Sequence, residues 1–550
     1  MKRLFLILCL LCSLSVHAQD RVSLTGLWEY SVGDSLNYKD FAELPGAYRS
    51  QGEIWYRKSV YVPEIWKYMR VVLFLERPYV ETTVFVNGEK ILRQISLSTP
   101  HQCDVTRWLK VGKRNTIVVC VNSGTSRWNG ITGRMELRVQ PRELYIDKVR
   151  LTPDLSKGRI HLGLDAGGVV ADAMYRGYQP IENYYTFSVM LDGDSPDNAR
   201  MGAWGLTRPH VECNFNFADS IYLWYEFHPQ LYRIGISLGD DYHETTFGMR
   251  ELGKDSCLYT INDRPMLLRG AVESLCPSDS VCLMYEDEWE TIFSEYKKYG
   301  LNYVRFPYCP PEAAFQVADR QGLYLEVTDP SGSVEESKRI IDIYGHHPSF
   351  MMMSASQKAD SVWEQTMLKY DSTKIYNPQI PVIAPGDSLH YKQTIERILL
   401  TKEEAGFLLS SFKDITSKID ANNWAEYCSP VIPLAKLPKT DYSNKDTLVV
   451  PVEIYNAMYG KLLHARNSYY LIDADQHVVG GGLLSGGDIP VGKNISIGTV
   501  SCPLNRIKEP TKLTLTVVVA GKLKNHWDFW VYPTDSVETT SSPSSPSSPK

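Results

Sequence analysis

The chain has 550 residues, 43% hydrophobic and 22% charged, the composition of a globular protein of several domains. A net charge of −6, with no basic run beyond the first residues, argues against nucleic acid as a partner. With 34 Tyr and 12 Trp it is aromatic enough for pleated sheets and for stacking on sugar rings, although core packing accounts for most such residues.

Residues 1–18, MKRLFLILCLLCSLSVHA, combine a basic start, an apolar centre and a small-residue cleavage pattern. They read as a secretory signal peptide, so a secreted or periplasmic mature protein with no membrane span is expected. Of 11 cysteines, Cys9 and Cys12 fall in this leader, leaving nine that are widely scattered. They form no CxxC pair and no Cys/His cluster, so neither a metal nor a cofactor is expected. Most read as buried thiols, with one or two disulfides left open.

From residue 19 to 142 short alternating strands follow one another without helices, as in TTVFVNGEKIL and NTIVVCVNSG. The Asn87-Gly88 pair between apolar runs is a hairpin signal, and the spacing predicts a jelly-roll β-sandwich. Residues 143–255, with LYIDKVRLTP, YYTFSVMLDG and LYRIGISLG, have the length and pattern of an immunoglobulin-like β-sandwich.

The periodicity changes near Tyr259. Apolar runs ending in polar residues alternate with helical stretches: PMLLRGAVES, EDEWETIFSEYKKYG, NYVRFPYCP, PEAAFQVADRQG, LYLEVTD, VEESKRIIDIYG and SFMMMSAS. These are parallel βα units, with Glu273, Arg305, Glu326 and Gln357 at strand ends, where a (β/α)8 barrel carries its chemistry. Residues 256–440 are short for a barrel of ~250 residues, so a compressed (β/α)8-type barrel is expected. Residues 441–535 return to β pattern as a C-terminal β-sandwich, and the Ser/Pro repeat of 536–550 has the composition of a disordered tail. The whole is a multidomain β and α/β chain.

This order, and the stretches LTGLWEYSV, IWYRKSVYVP, WNGITGRMEL, ETTFGMREL, INDRPMLLRGAVES and YGLNYVRFPYCPPEAAFQVADRQGLYLEVTD, resemble glycoside hydrolase family 2, the β-galactosidase and β-glucuronidase group. The resemblance implies two glutamates about 5–5.5 Å apart, one an acid/base and one a nucleophile, acting on β-linked oligosaccharides or polysaccharides with retention. Laid on the family's acid/base motif, HHPSFMMMSASQK puts Gln357 at its Asn and Lys358 at its Glu. A protonated lysine is no base, and its ordinary pKa makes it a poor acid at neutral pH. At the nucleophile, IPVIAPGDS puts Gly386 in the glutamate's place, with Asp387 one residue away.

The resemblance places Arg269, Arg305 and Gln357 as substrate-binding residues; for the arginines, ion pairing is the alternative. Glu273, Glu326 and Asp387 are substitute carboxylates, against a structural role beside the arginines. His346 and His347 read as fixing a turn, Asp360 as a helix N-cap, and Trp28, Trp55, Trp108 and Trp128 as core residues ahead of glycan contacts. Three functions stay open: a catalytically degenerate protein that keeps glycan binding, an active O-glycosyl hydrolase with non-standard carboxylates, and a structural partner in a glycan-degrading system.

Overall fold

The structure, a computed structural model, describes residues 20–33, 37–96, 98–124, 126, 128–177, 184–217, 221–255, 258–274, 285–355, 361–401 and 403–534. The leader, Gln357, Lys358, Asp360 and the Ser/Pro end lie outside these residues. The chain divides into two units, Met1–Asp263 with Leu268–Pro385 and Ala405–Ser417, and Arg264–Leu267 with Gly386–Glu404 and Lys418–Lys550.

The first unit opens with strands that bury alternate side chains. Ile117, Val119 and Val121 of Arg114–Asn122 are fully buried, between Glu53–Tyr61 and Glu81–Val86 in a six-stranded antiparallel sheet. A four-stranded sheet sends Val71, Leu73 and Leu75 into the same core, which also holds Trp28. Asn87 and Gly88 have φ of 51° and 94° and join Val86 to Glu89, the tight hairpin expected of an Asn-Gly pair. A second pair of antiparallel sheets, of three and four strands, encloses Leu162, Leu164, Phe187, Ile234 and Ile236.

Seven parallel strands follow: β1 (Leu268–Val272), β2 (Tyr303–Phe306), β3 (Tyr324–Asp329), β4 (Phe350–Ala355), β5 (Ile375–Tyr376), β6 (Val382–Ile383) and β7 (Gly406–Leu409). Their order is β5-β4-β3-β2-β1-β7-β6. Helices α1 (Glu286–Lys298), α2 (Glu312–Gln321), α3 (Val334–Tyr344) and α4 (Ser361–Tyr370) separate β1 to β5. Helix α1 shows why: Trp289, Phe293 and Tyr296 recur along one face and are buried, with acids in the first turn and lysines in the last. Eight strands are the full complement of such a barrel; this sheet has seven among the described residues, and five residues without a helix join β5 to β6. The compression therefore falls on β5 and β6, each only two residues long.

In the second unit a five-stranded and a three-stranded sheet enclose Leu448, Val450, Leu513, Leu515 and Val517. Helix Ser388–Thr401 and strand Val431–Ala435 fall within the stretch 256–440 expected to be barrel, yet they group here. The strand pairs antiparallel with Thr447–Asn456, and the helix is fixed by Lys392 Nζ, which donates to Glu396 at 2.9 Å and also to Asn525. Hydrophobic periodicity marks such segments but does not name their partners.

Candidate functional site

Register brings Gly270 beside Tyr303, Val272 beside Arg305, and Arg305 beside Glu326. Strand alternation sets Tyr303, Arg305 and Glu326 on one face. Gly270 is demanded there, because a Cβ at this position would lie 2.4 Å from the Tyr303 ring. The phenol can then reach Glu326 Oε2 as a donor. Arg305 Nε donates to the same oxygen at 2.7 Å, and Ser354 Oγ of β4 donates to Oε1 at 2.5 Å.

Glu326 is fully buried, while the Arg305 side chain keeps 21% of its surface exposed. Burial pushes the Glu326 carboxyl up to about 8, the Ser354 hydroxyl pulls it down, and burial draws the Arg305 guanidinium down to about 10. At 2.7 Å the two groups also hold each other charged, opposing that drift toward neutrality. The result is a carboxylate enclosed by three donors.

Among the described residues, Arg269, Glu273 and Asp387 make contacts of their own. Arg269 is the neighbour of Gly270 and so alternates to the opposite face. There its Nε donates to the Gly300 carbonyl at 2.7 Å and its Nη2 meets Glu226 Oε1 at 3.1 Å, with the side chain only 3% exposed. The Arg269 guanidinium, expected to bind sugar or to pair with an acid, is thus engaged with a buried carboxylate. Glu226 also accepts from the Asn302 amide and receives Lys297 Nζ at its carbonyl, 3.2 Å away. Sequence reading missed Glu226; its only signal was an acid inside the otherwise aromatic LWYEFHP.

Glu273 follows Val272 and its Oε2 accepts from Tyr296 of α1 at 3.0 Å. Tyr296 is fully buried, and burial followed by the Glu273 charge raises its phenol well above the ordinary value. One Glu273 oxygen is therefore engaged by the helix layer. Asp387 is exposed and caps the helix Ser388–Thr401, accepting from the His390 N–H at 2.8 Å. Gly386, the expected nucleophile position, is not in a strand; a Cβ there would lie 2.4 Å from the His390 ring.

Known proteins share this architecture. A β-D-mannosidase from Dictyoglomus thermophilum superposes with a TM-score of 0.73 at 12% identity, covering 93% of this chain and 89% of its own. A glycosyl hydrolase family 2 member from Bacteroides cellulosilyticus superposes at 0.60 with 13% identity, over 90% and 88% of the two chains. The fold is that of family 2 glycoside hydrolases. In sequence, a protein assigned by name as a β-glucuronidase in Formosa agariphila is 22% identical over 317 residues. That match takes 54% of this chain and 37% of the relative, so the chain spans little more than a third of its length. Residues 446–533 match a domain of unknown function, DUF8488.

Within this family 2 fold the turn before β4 is structural, as its histidines suggested. His347 Nδ1 lies 2.6 Å from Asp319 Oδ2, and the Ser349 N–H donates to Asp319 Oδ1 at 2.9 Å. Arg250 locks the same turn, donating to the carbonyls of Pro348 at 2.6 Å, Phe350 at 3.0 Å and Thr373 at 3.0 Å. Trp28 is core, whereas Trp55 packs on Phe85 with ring centroids 5.7 Å apart. Trp108 and Trp128 pack partly buried against the first core. Among the described residues, Cys103, Cys120, Cys213, Cys309 and Cys502 are thiols outside any disulfide. No described helix is long and apolar enough to cross a membrane.

Proposed function

We propose that this chain is an exported, catalytically degenerate protein on the family 2 glycoside hydrolase fold that binds glycans without cleaving them. One observation carries the reading: Glu326, a carboxylate inside β3, is fully buried and held by Arg305, Tyr303 and Ser354. A retaining hydrolase needs two carboxyl groups about 5–5.5 Å apart across the bond to be cut. Here Glu273 turns to Tyr296 and Asp387 caps a helix. The sequence match at the acid/base position, Lys358 after Gln357, agrees with loss of proton transfer. The ligand class is taken from the fold: β-linked oligosaccharides or polysaccharides.

The test is a panel of aryl β-glycosides assayed with purified protein, alongside calorimetric titration with soluble oligosaccharides. No turnover with measurable binding is expected. Turnover abolished by Glu326→Gln sinks the degenerate reading in favour of a hydrolase with unusual carboxylates. Absence of both turnover and binding leaves a purely structural partner.

A further inference from the structure

Strand Leu523–Tyr532 of the C-terminal sandwich alternates buried and exposed residues, with Phe529 and Val531 in the core and Trp530 and Tyr532 on the outer face. The two outer residues are 42% and 47% exposed. Their ring centroids are 6.1 Å apart and their planes lie within 17° of parallel. In register beside them stand exposed Asp441 and half-buried Ser443 on one side, and Lys512 on the other. Asp528, the next outward residue, lies 2.7 Å from Lys512 Nζ and accepts from Thr514 Oγ1 at 2.7 Å. Two parallel aromatic rings are thus framed by carboxylates, hydroxyls and an ammonium, with no aliphatic side chain among these neighbours.

We propose that this face is an oligosaccharide-binding platform built on Trp530 and Tyr532. A lipid surface is met through contiguous apolar area, which this frame interrupts with charge on both sides. A pyranose matches it. Its C–H face is apolar enough to lie against an aromatic ring, and its peripheral hydroxyls can donate to Asp441 and Asp528 and accept from Lys512. Two rings 6.1 Å apart offer contact to neighbouring sugars of one chain, so the ligand is an oligosaccharide rather than a free monosaccharide. Trp530, Tyr532, Lys512 and Asp528 lie inside the 446–533 domain of unknown function, to which the proposal gives a role. It rests on the glycan-binding reading and names a site for it that does not involve Glu326.

The experiment is native electrophoresis of the full chain through gels containing soluble β-glucan, β-mannan, xylan or galactan. At least one polysaccharide retards the wild type. Trp530→Ala and Tyr532→Ala weaken that binding about ten-fold, while Trp530→Phe keeps most of it because a ring remains. Equal retardation of wild type and Trp530→Ala overturns the platform. Loss of retardation in Arg305→Ala with Trp530→Ala unaffected also overturns it, and leaves the barrel as the glycan site. No retardation of the wild type by any polysaccharide overturns both readings. If Trp530→Ala instead converts a dimer to a monomer in sedimentation, the face is a contact between copies and the platform is wrong.

Discussion

Arg305 Nε lies 2.7 Å from Glu326 Oε2, on neighbouring parallel strands whose register sets the two residues side by side. Removing the carboxylate leaves a largely buried guanidinium without its counter-charge. Glu326→Ala is therefore expected to destabilise the fold by about 3–5 kcal/mol, measured by urea unfolding, and a loss below ~1 kcal/mol would contradict the pairing.

Gly270→Ala tests the packing beneath this pair. The new methyl would sit 2.4 Å from the Tyr303 ring, so the phenol must move off Glu326 or the strands must part. A cost of about 1–3 kcal/mol is expected, with the Tyr303→Phe background showing a smaller penalty. Equal penalties in both backgrounds would mean that the Tyr303 hydroxyl contributes nothing.

Arg269 separates structural arginine from binding arginine. Arg269→Leu strands the buried Glu226 carboxylate, for an expected loss of about 3–5 kcal/mol in unfolding. Glycan binding, measured where the variant is still folded, should not change. Weakened binding by the folded variant would restore Arg269 to the site.

Lys374 gives a pH signature. It is buried, donates to the Gly345 carbonyl at 2.9 Å, and has its pKa lowered to about 8, chiefly by burial and against the pull of Asp371. Between that value and the unfolded lysine's ~10.4 the unfolded chain binds a proton that the folded chain does not. Stability should therefore rise with pH across this window, and the burial cost is fully present below it. The stability difference between wild type and Lys374→Met should climb from about pH 8 to pH 10. A flat difference would show that the ammonium stays charged through its partners.

On the proposed reading, placing the family's motif residues in this chain should not confer chemistry. The double change Gln357→Asn, Lys358→Glu supplies one carboxylate, but a glutamate at Gly386 would collide with the His390 ring at 2.4 Å. No release of aryl aglycone is expected from the double variant or from the triple variant that adds Gly386→Glu. Measurable turnover by the double variant would mean that a nucleophile already stands in place; turnover by the triple variant alone would mean that Gly386→Glu supplies one.

Much of the architecture was legible from residues alone. Asn87-Gly88 announced its hairpin because only a tight turn with positive φ suits that pair, and φ of 51° and 94° are found. The alternating runs of the sandwiches and the apolar βα repeats from Tyr259 onward announced their sheets for the same local reason. The site was less legible. Glu273, Glu326, Arg269 and Arg305 all look alike as polar residues near strands, and only registry and alternation separate them.

The sequence determined the kinds of layer and the Asn-Gly turn, because each is written in neighbouring residues. Tertiary structure decided which charges meet. Arg269 joins Glu226, 43 residues away, and Arg305 joins Glu326, 21 residues away. It also moved Val431–Ala435 into the closing sandwich and left seven strands in the parallel sheet among the described residues. Hydrophobic period reports which face of a segment is buried; the partner of a buried charge depends on the strands folded beside it.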